Sequence, residues 1–145
     1  MTIDPLGAKY LGFDLTTPWL VSVEHIRGTG SLNSNQAVAN KDGTYTYIVA
    51  AQDPGVRNWV DTQGLHQGQI WLRWQVLPQG TKSADNAVRA VKVVKLSELD
   101  SALPAGTQRL GAAQRQQLLQ ERVLAYAHRF GDASFEPQKV AAEEP

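Results

Sequence analysis

Between Asp53 and Gly68 the chain reads DPGVRNWVDTQGLHQG, and the side chains of this run suggest three kinds of chemistry. Asp53 and Asp61 are a candidate carboxylate pair for acid and base work, with His66 as proton carrier. That role needs two carboxyl groups brought within a few ångströms in a cleft that shifts their pKa values. His66, His25 and Asp61 together offer two nitrogens and an oxygen, the donor types of a catalytic zinc or iron. Trp59, Trp71 and Trp19 offer flat faces for an apolar or sugar ligand, and Arg57, Asn58 and Arg73 offer hydrogen bonds beside them.

Each proposal has a simpler competitor. Aspartate ahead of Pro54-Gly55, or ahead of Thr62 and Gly64, starts a turn by accepting hydrogen bonds from nearby backbone amides. The chain has three histidines and no HxH, HExxH or His-x-Asp pattern, so neither a metal nor a cofactor is expected. It also lacks a glycine fingerprint after a strand, a phosphate-binding loop and a GxSxG elbow, which removes the dinucleotide, nucleotide triphosphate and esterase readings. Among the tryptophans, Trp74 falls on the apolar side of its segment and is expected in the core. Trp71 falls on the opposite side with Arg73 and Gln75.

The elements that must position these residues are mostly strands. From Tyr10 to Leu96 short apolar runs are broken by Gly, Asn, Asp and Pro. WLVSVEH (19–25) alternates and predicts a strand. TYTYIVAA (44–51), following the turn signal Lys41-Asp42-Gly43, predicts a second strand in a hairpin. QIWLRWQVL (69–77) is the most strongly patterned, with Ile70, Leu72, Trp74 and Val76 directed inward. AVRAVKVVKL (87–96) has mixed faces and lysines, which suits an edge strand. The period then changes. Ser97 is positioned to cap a short helix that ends at Pro104-Ala105-Gly106, and a longer helix is predicted from Ala112 to Phe130 with Gly111 and Gln114 at its start and Gly131 at its end. Leu118, Leu119, Val123, Tyr126, Ala127 and Phe130 form its apolar stripe, whereas Gln116, Gln117, Gln120, Glu121 and Arg122 cover much of the rest.

Composition sets the outer limits. With 145 residues and 42% hydrophobic content the chain suffices for one core. Fourteen basic and fourteen acidic side chains cancel, so no net field favours nucleic acid or an anionic membrane. The absence of cysteine excludes disulfides and thiolate catalysis. No signal-like leader or membrane-length apolar run is present, which makes the cytoplasm the expected compartment.

The run DGTYTYIVAAQDPG through RNWVDTQGLHQGQIWLRWQVLP resembles the carboxy-terminal domain of the domain of unknown function 1214 family. The resemblance is carried by Asn58, Trp59, Gly68, Arg73, Trp74 and Pro78. Over nearly its whole length the chain is also similar to uncharacterised actinobacterial-type proteins with SLN (31–33), DPGV (53–56), NW-DT-G and a tail like KLSELDSALP. Val60-Asp61-Thr62-Gln63 replaces the Leu-Pro-Ala-Pro usual in the first family, and the longer amino-terminal part of those proteins has no counterpart here. The resemblance implies a β-sandwich or jelly roll with an accessory helix, and supplies no catalytic residues.

The sequence therefore predicts a mainly β domain, an antiparallel sandwich or jelly roll over residues 1–96. A helical extension over 97–131 packs on the domain, on a companion domain or on a second copy, and residues 132–145 form a flexible tail. The function expected first is a non-catalytic ligand-binding or assembly module of a larger bacterial system, with Arg57, Asn58, Trp71 and Arg73 in its surface beside Asp61 and His66. The alternative is a cofactor-independent hydrolase or isomerase working on an apolar substrate through Asp61 and His66.

Overall fold

The computed structural model describes residues 1–81 and 85–131; the tail expected over 132–145 lies outside the described residues. The chain is mainly β. Its strands are β1 (Thr2–Ile3), β2 (Tyr10–Thr16), β3 (Ser31–Asn33), β4 (Tyr45–Thr46), β5 (Ile48–Ala50), β6 (Trp59–Asp61), β7 (Gln69–Gln75) and β8 (Val88–Ala90). A 3-10 turn (Leu96–Glu98) leads into α1 (Leu99–Ala102), and α2 follows at Ala112–Phe130. Two three-stranded antiparallel sheets, ordered β4-β1-β8 and β3-β2-β7, are joined by a parallel pair, β5-β6. All three contribute to one core: Ile3 from the first, Leu11, Phe13, Leu15 and Leu32 from the second, and Val60 from the third. Tyr47, between β4 and β5, stacks on Phe13 with ring centroids 4.5 Å apart.

The β2–β7 ladder is the longest, seven residues in register from Tyr10 opposite Gln75 to Thr16 opposite Gln69. Strand alternation explains its two faces. Leu11, Phe13 and Leu15 point into the core, and Leu72 and Trp74 of β7 pack against it. Ile70 and Val76, expected inside with them, are exposed at the two ends of the ladder. Val76 has left-handed backbone (φ 53°), which ends the strand and turns its side chain away.

Three other segments depart from the sequence reading. Residues 19–25 form no strand: the Thr17 hydroxyl accepts the Trp19 and Val21 amides at 3.3 Å, Leu20 adopts φ 64°, and a tight turn results. Trp19 is 86% exposed and only Val23 of this run is buried. The run 44–51 is two short strands rather than one. The turn at Lys41-Asp42-Gly43 forms, closed between Asn40 and Thr44, but no hairpin results, because β4 pairs with β1 and not with the segment before the turn. At Tyr47, however, the chain leaves β1 for β6, so that Tyr47 and Ile48 are both buried and Val49 is exposed. Of residues 87–96 only Val88–Ala90 pairs, at an edge of its sheet, because β1 offers it just two residues; Val93 beyond is 98% exposed.

Helix α2 has the predicted bounds. The Gly111 amide donates to Gln114 Oε1 at 2.9 Å, and Gly131 closes the helix in left-handed conformation. Of its expected stripe Val123 is buried and Leu118, Leu119, Tyr126 and Ala127 are partly so, whereas Phe130 at the helix end is exposed, and Arg115 and Arg122 are buried in the seam. Arg115 donates to both carboxylate oxygens of Asp53 (2.9 and 3.2 Å) and to the Val56 carbonyl, and its guanidinium lies 5.1 Å from the centre of the Trp59 ring. Arg122 donates to the His25 carbonyl and to Ser31 Oγ at 2.9 Å. An arginine stem is apolar and packs where a hydrophobic residue would, while its head satisfies carbonyls. Ser97 is not the cap of the short helix; Lys95 precedes the 3-10 turn and no side chain caps it.

Candidate functional site

The outer face of the β3-β2-β7 sheet follows from the same alternation. With Leu11, Phe13 and Leu15 inside, Gly12 and Asp14 face outward, and directly opposite residues of neighbouring strands share that face. One row across the sheet is therefore Ser31, Asp14 and Trp71, and the next is Asn33, Gly12 and Arg73. The Tyr10 ring occupies the space that Gly12 leaves, since a Cβ there would lie 3.0 Å from it. Helix α2 and the segment before β3 stand over the β3 side of this face. They close a cleft of about 320 Å³ lined by Asp14, His25, Asn33, Arg122, Tyr126 and Arg129, among others. The His25 ring meets Tyr126 edge to face, 5.5 Å between centroids.

Asp14 is the titratable group that this arrangement perturbs. Its carboxylate is half-buried, and burial pushes its pKa above the ordinary 3.8, against the pull of Arg73, His25 and Arg122 nearby. It accepts no hydrogen bond from a described residue. Burial lowers the Arg122 pKa for the same reason. A desolvated carboxylate with charge partners beside it, in a cleft, marks a candidate functional site. The sign of its effect on stability is definite. The folded protein holds the Asp14 proton more tightly than the unfolded chain, so the group favours folding at low pH and that contribution is lost as pH rises through its folded pKa. Asp14→Asn is therefore expected to stabilise the protein at pH 7 and to change little well below pH 3.8, read by urea unfolding at the two pH values.

The residues singled out by sequence do not converge on one place. Trp71 and Arg73 share the outer sheet face with Asp14 but do not line the cleft itself, Trp71 being half-exposed (49%) and directly opposite Asp14. Asn58 is inside (7% exposed) and fully used: its Oδ1 accepts the Val38 amide at 2.8 Å, and its Nδ2 donates to the Val38 and Thr46 carbonyls at 2.7 and 3.1 Å. Arg57 is half-buried with its guanidinium on the Gln36 carbonyl at 3.0 and 3.2 Å. Asp53 and Asp61 are turn residues, Asp53 accepting the Gly55 amide and Asp61 the Gln63 amide, each at 2.8 Å. The other Asp61 oxygen takes the Gln63 side-chain amide at 2.6 Å. His66 is exposed and lines a separate, smaller cavity whose walls do not include Asp61. Among the described residues no group of three or more His, Asp or Glu side chains could hold a metal ion, so His25, His66 and Asp61 do not form one.

Most residues of the NW-to-proline pattern thus serve the fold. Trp59 Nε1 donates to the Ala50 carbonyl and Trp74 Nε1 to the Asp4 carbonyl, both at 2.9 Å. Gly68 lies where any Cβ would collide with the Thr16 carbonyl oxygen. Gly68→Ala must push the loop off β2, and a loss of about 1–3 kcal/mol is expected in chemical denaturation, as for other overpacked sites. Arg73 is the exception, free of such a role and turned to the cleft side. Sequence reasoning missed Asp14; the signal was the alternation of YLGFDLT, which places it opposite the apolar side of β2.

The site is that of a mainly β chain with a polar, aromatic-flanked cleft, and comparison adds one relative. The chain is similar to a crystal structure of an uncharacterized protein from Burkholderia cenocepacia, with 33% sequence identity and a TM-score of 0.50. The match covers 54% of this chain and 22% of that one, so it spans less than a quarter of the neighbour's length. No protein-family model and no curated protein matches the chain. Among the described residues no helix is long and apolar enough to cross a membrane.

Proposed function

We propose that the chain is a non-catalytic binding module, a sandwich-like β domain of a larger bacterial cytoplasmic protein, and that its cleft takes a sugar or similar polyol. The observation that carries this reading is the row Asp14–Trp71. A half-exposed indole stands beside a partly buried carboxylate that accepts no hydrogen bond from a described residue, with Arg73 two residues along the strand from Trp71 and diagonal to Asp14. Polyols present both surfaces such a pair can use: C–H groups that pack on an aromatic face, and hydroxyls that donate to a carboxylate and accept from an arginine. Cross-strand neighbours lie about 5 Å apart, close enough for one ring to span them. The longer bacterial neighbour supports the place within a larger protein. Asn58, Trp59, Gly68, Arg73, Trp74 and Pro78 support kinship with the domain of unknown function 1214 family. The enzymatic alternative loses support because Asp61 is occupied by Gln63 and does not line the cavity of His66. Titration of the protein with hexoses, hexuronates and inositol, followed by tryptophan fluorescence, tests the reading. Saturable quenching absent from Trp71→Ala is expected. Quenching that persists in that variant would refute it.

A further inference from the structure

Arg122, Tyr126 and Arg129 are spaced four and three residues apart on α2, and so share one face of it. All three line the cleft of about 320 Å³ that Asp14 and His25 also line. Their charges are engaged unequally. The head of Arg122 is held by the His25 carbonyl and by Ser31 Oγ, and Arg122, Arg73 and His25 already act on the Asp14 carboxylate. Arg129 is exposed, its guanidinium lies 5.5 Å from the centre of the Phe130 ring, and it makes no hydrogen bond or ion pair with a described residue. A full positive charge with five N–H donors is thus left at the edge of the cleft. The Tyr126 hydroxyl also has no described partner. Acceptors lie at the other end, where Arg122 and His25 come near Asp14. A carbonyl only accepts, so neutral His25 keeps its proton on Nδ1, 3.2 Å from the Val23 carbonyl, and leaves Nε2 as an acceptor beside the Asp14 carboxylate.

We infer that the ligand of this cleft is an anionic polyol, a sugar acid or sugar phosphate, whose acidic group is held by Arg129 while its hydroxyls donate to Asp14 and His25. The inference rests on the polyol reading above and narrows it to a charged class. Carboxylate and phosphate both match the planar fork of an arginine, and the Tyr126 hydroxyl adds a donor one turn away. Seven residues of helix separate Arg122 from Arg129, a rise of about 10 Å. That span suits a molecule with hydroxyls at one end and its charge at the other. A neutral hexose can use the Asp14 end alone and gains nothing ionic from Arg129.

Calorimetric titration of the full chain with D-glucose, D-glucuronate and D-glucose 6-phosphate tests this, with Arg129→Gln and Arg129→Lys as variants. Arg129 is exposed, so both variants fold, which a backbone amide spectrum verifies. At low salt at least one of the two anions is expected to bind wild type about tenfold more tightly than glucose, the worth of a charge-assisted hydrogen bond, and the tighter of the two identifies the acidic group. In Arg129→Gln the difference between anion and glucose should vanish, and Arg129→Lys should restore part of it. Salt at about 1 M, where screening reaches about 3 Å, should also narrow it. Equal affinity of wild type for glucose and both anions would overturn the inference and leave the polyol reading standing. A preference for the anion that survives intact in Arg129→Gln would overturn it as well. Absence of binding by all three sugars at millimolar concentration would overturn both readings.

Discussion

Arg115→Ala should cost about 3–5 kcal/mol of folding free energy, the range for removing one partner of a buried ion pair. Arg115 is 5% exposed, and four groups depend on it: both Asp53 oxygens, the Val56 carbonyl and the Trp59 face. Asp53 retains some contact with water. The loss should therefore sit near the lower end, about 3 kcal/mol, with most of it from the unpaired Val56 carbonyl and the gap over Trp59. For a domain whose total stability is on the order of 5–15 kcal/mol this is a large fraction. Arg115→Lys keeps the charge but cannot fork to two oxygens, and should recover only part of the loss. Urea denaturation followed by far-ultraviolet circular dichroism measures all three proteins. Equal midpoints for wild type and Arg115→Ala would mean that α2 is not held through the Asp53 turn.

Asn58→Ala is the second large effect. One side chain satisfies the Val38 amide, the Val38 carbonyl and the Thr46 carbonyl, tying residues 37–39 to the end of β4. Truncation strands the buried Thr46 carbonyl, worth about 1–3 kcal/mol, and frees the Val38 amide and carbonyl, which water can reach from the exposed side of Val38, so a total of about 2–3 kcal/mol is expected. Asn58→Asp is the sharper comparison. It keeps the acceptor for the Val38 amide yet sets a carboxylate against two carbonyl oxygens, and it should be at least as destabilising at neutral pH as alanine. Lowering the pH should relieve it, because a protonated carboxyl can donate to one of those carbonyls. Thermal melts of the two variants at pH 7 and pH 4 distinguish these outcomes.

How much of this was visible beforehand depends on whether a residue's role is local. The bounds of α2 are written in Gly111, Gln114, Gly131 and the stripe between them, all within reach along one helix. The inward side of β7 could be read at Leu72 and Trp74, where alternation is clean. Roles that depend on a distant partner could not. Asp53 as the seat of Arg115, Arg122 as a seam residue and Asn58 as a triple hydrogen bonder each join segments 12 to 97 residues apart. A polar side chain looks solvent-facing in sequence until the carbonyl it serves is known. The splitting of residues 44–51 has the same origin, because the core needed Tyr47 on Phe13 and overrode the local alternation. Asp14 combines both cases. Its outward direction was legible in YLGFDLT, whereas its partial burial comes from α2 and His25 arriving over β3.

The account rests most heavily on the Asp14–Trp71 row as a polyol site, and the indole proton resonances report on it directly. In a titration of the nitrogen-15-labelled protein with hexoses, hexuronates and inositol, the Trp71 indole resonance should shift saturably for at least one class. The exposed Trp19 indole should stay in place, and Asp14→Asn should abolish the shift without unfolding the chain. A Trp71 resonance that no member of the panel moves, or that moves equally in Asp14→Asn, would contradict the assignment.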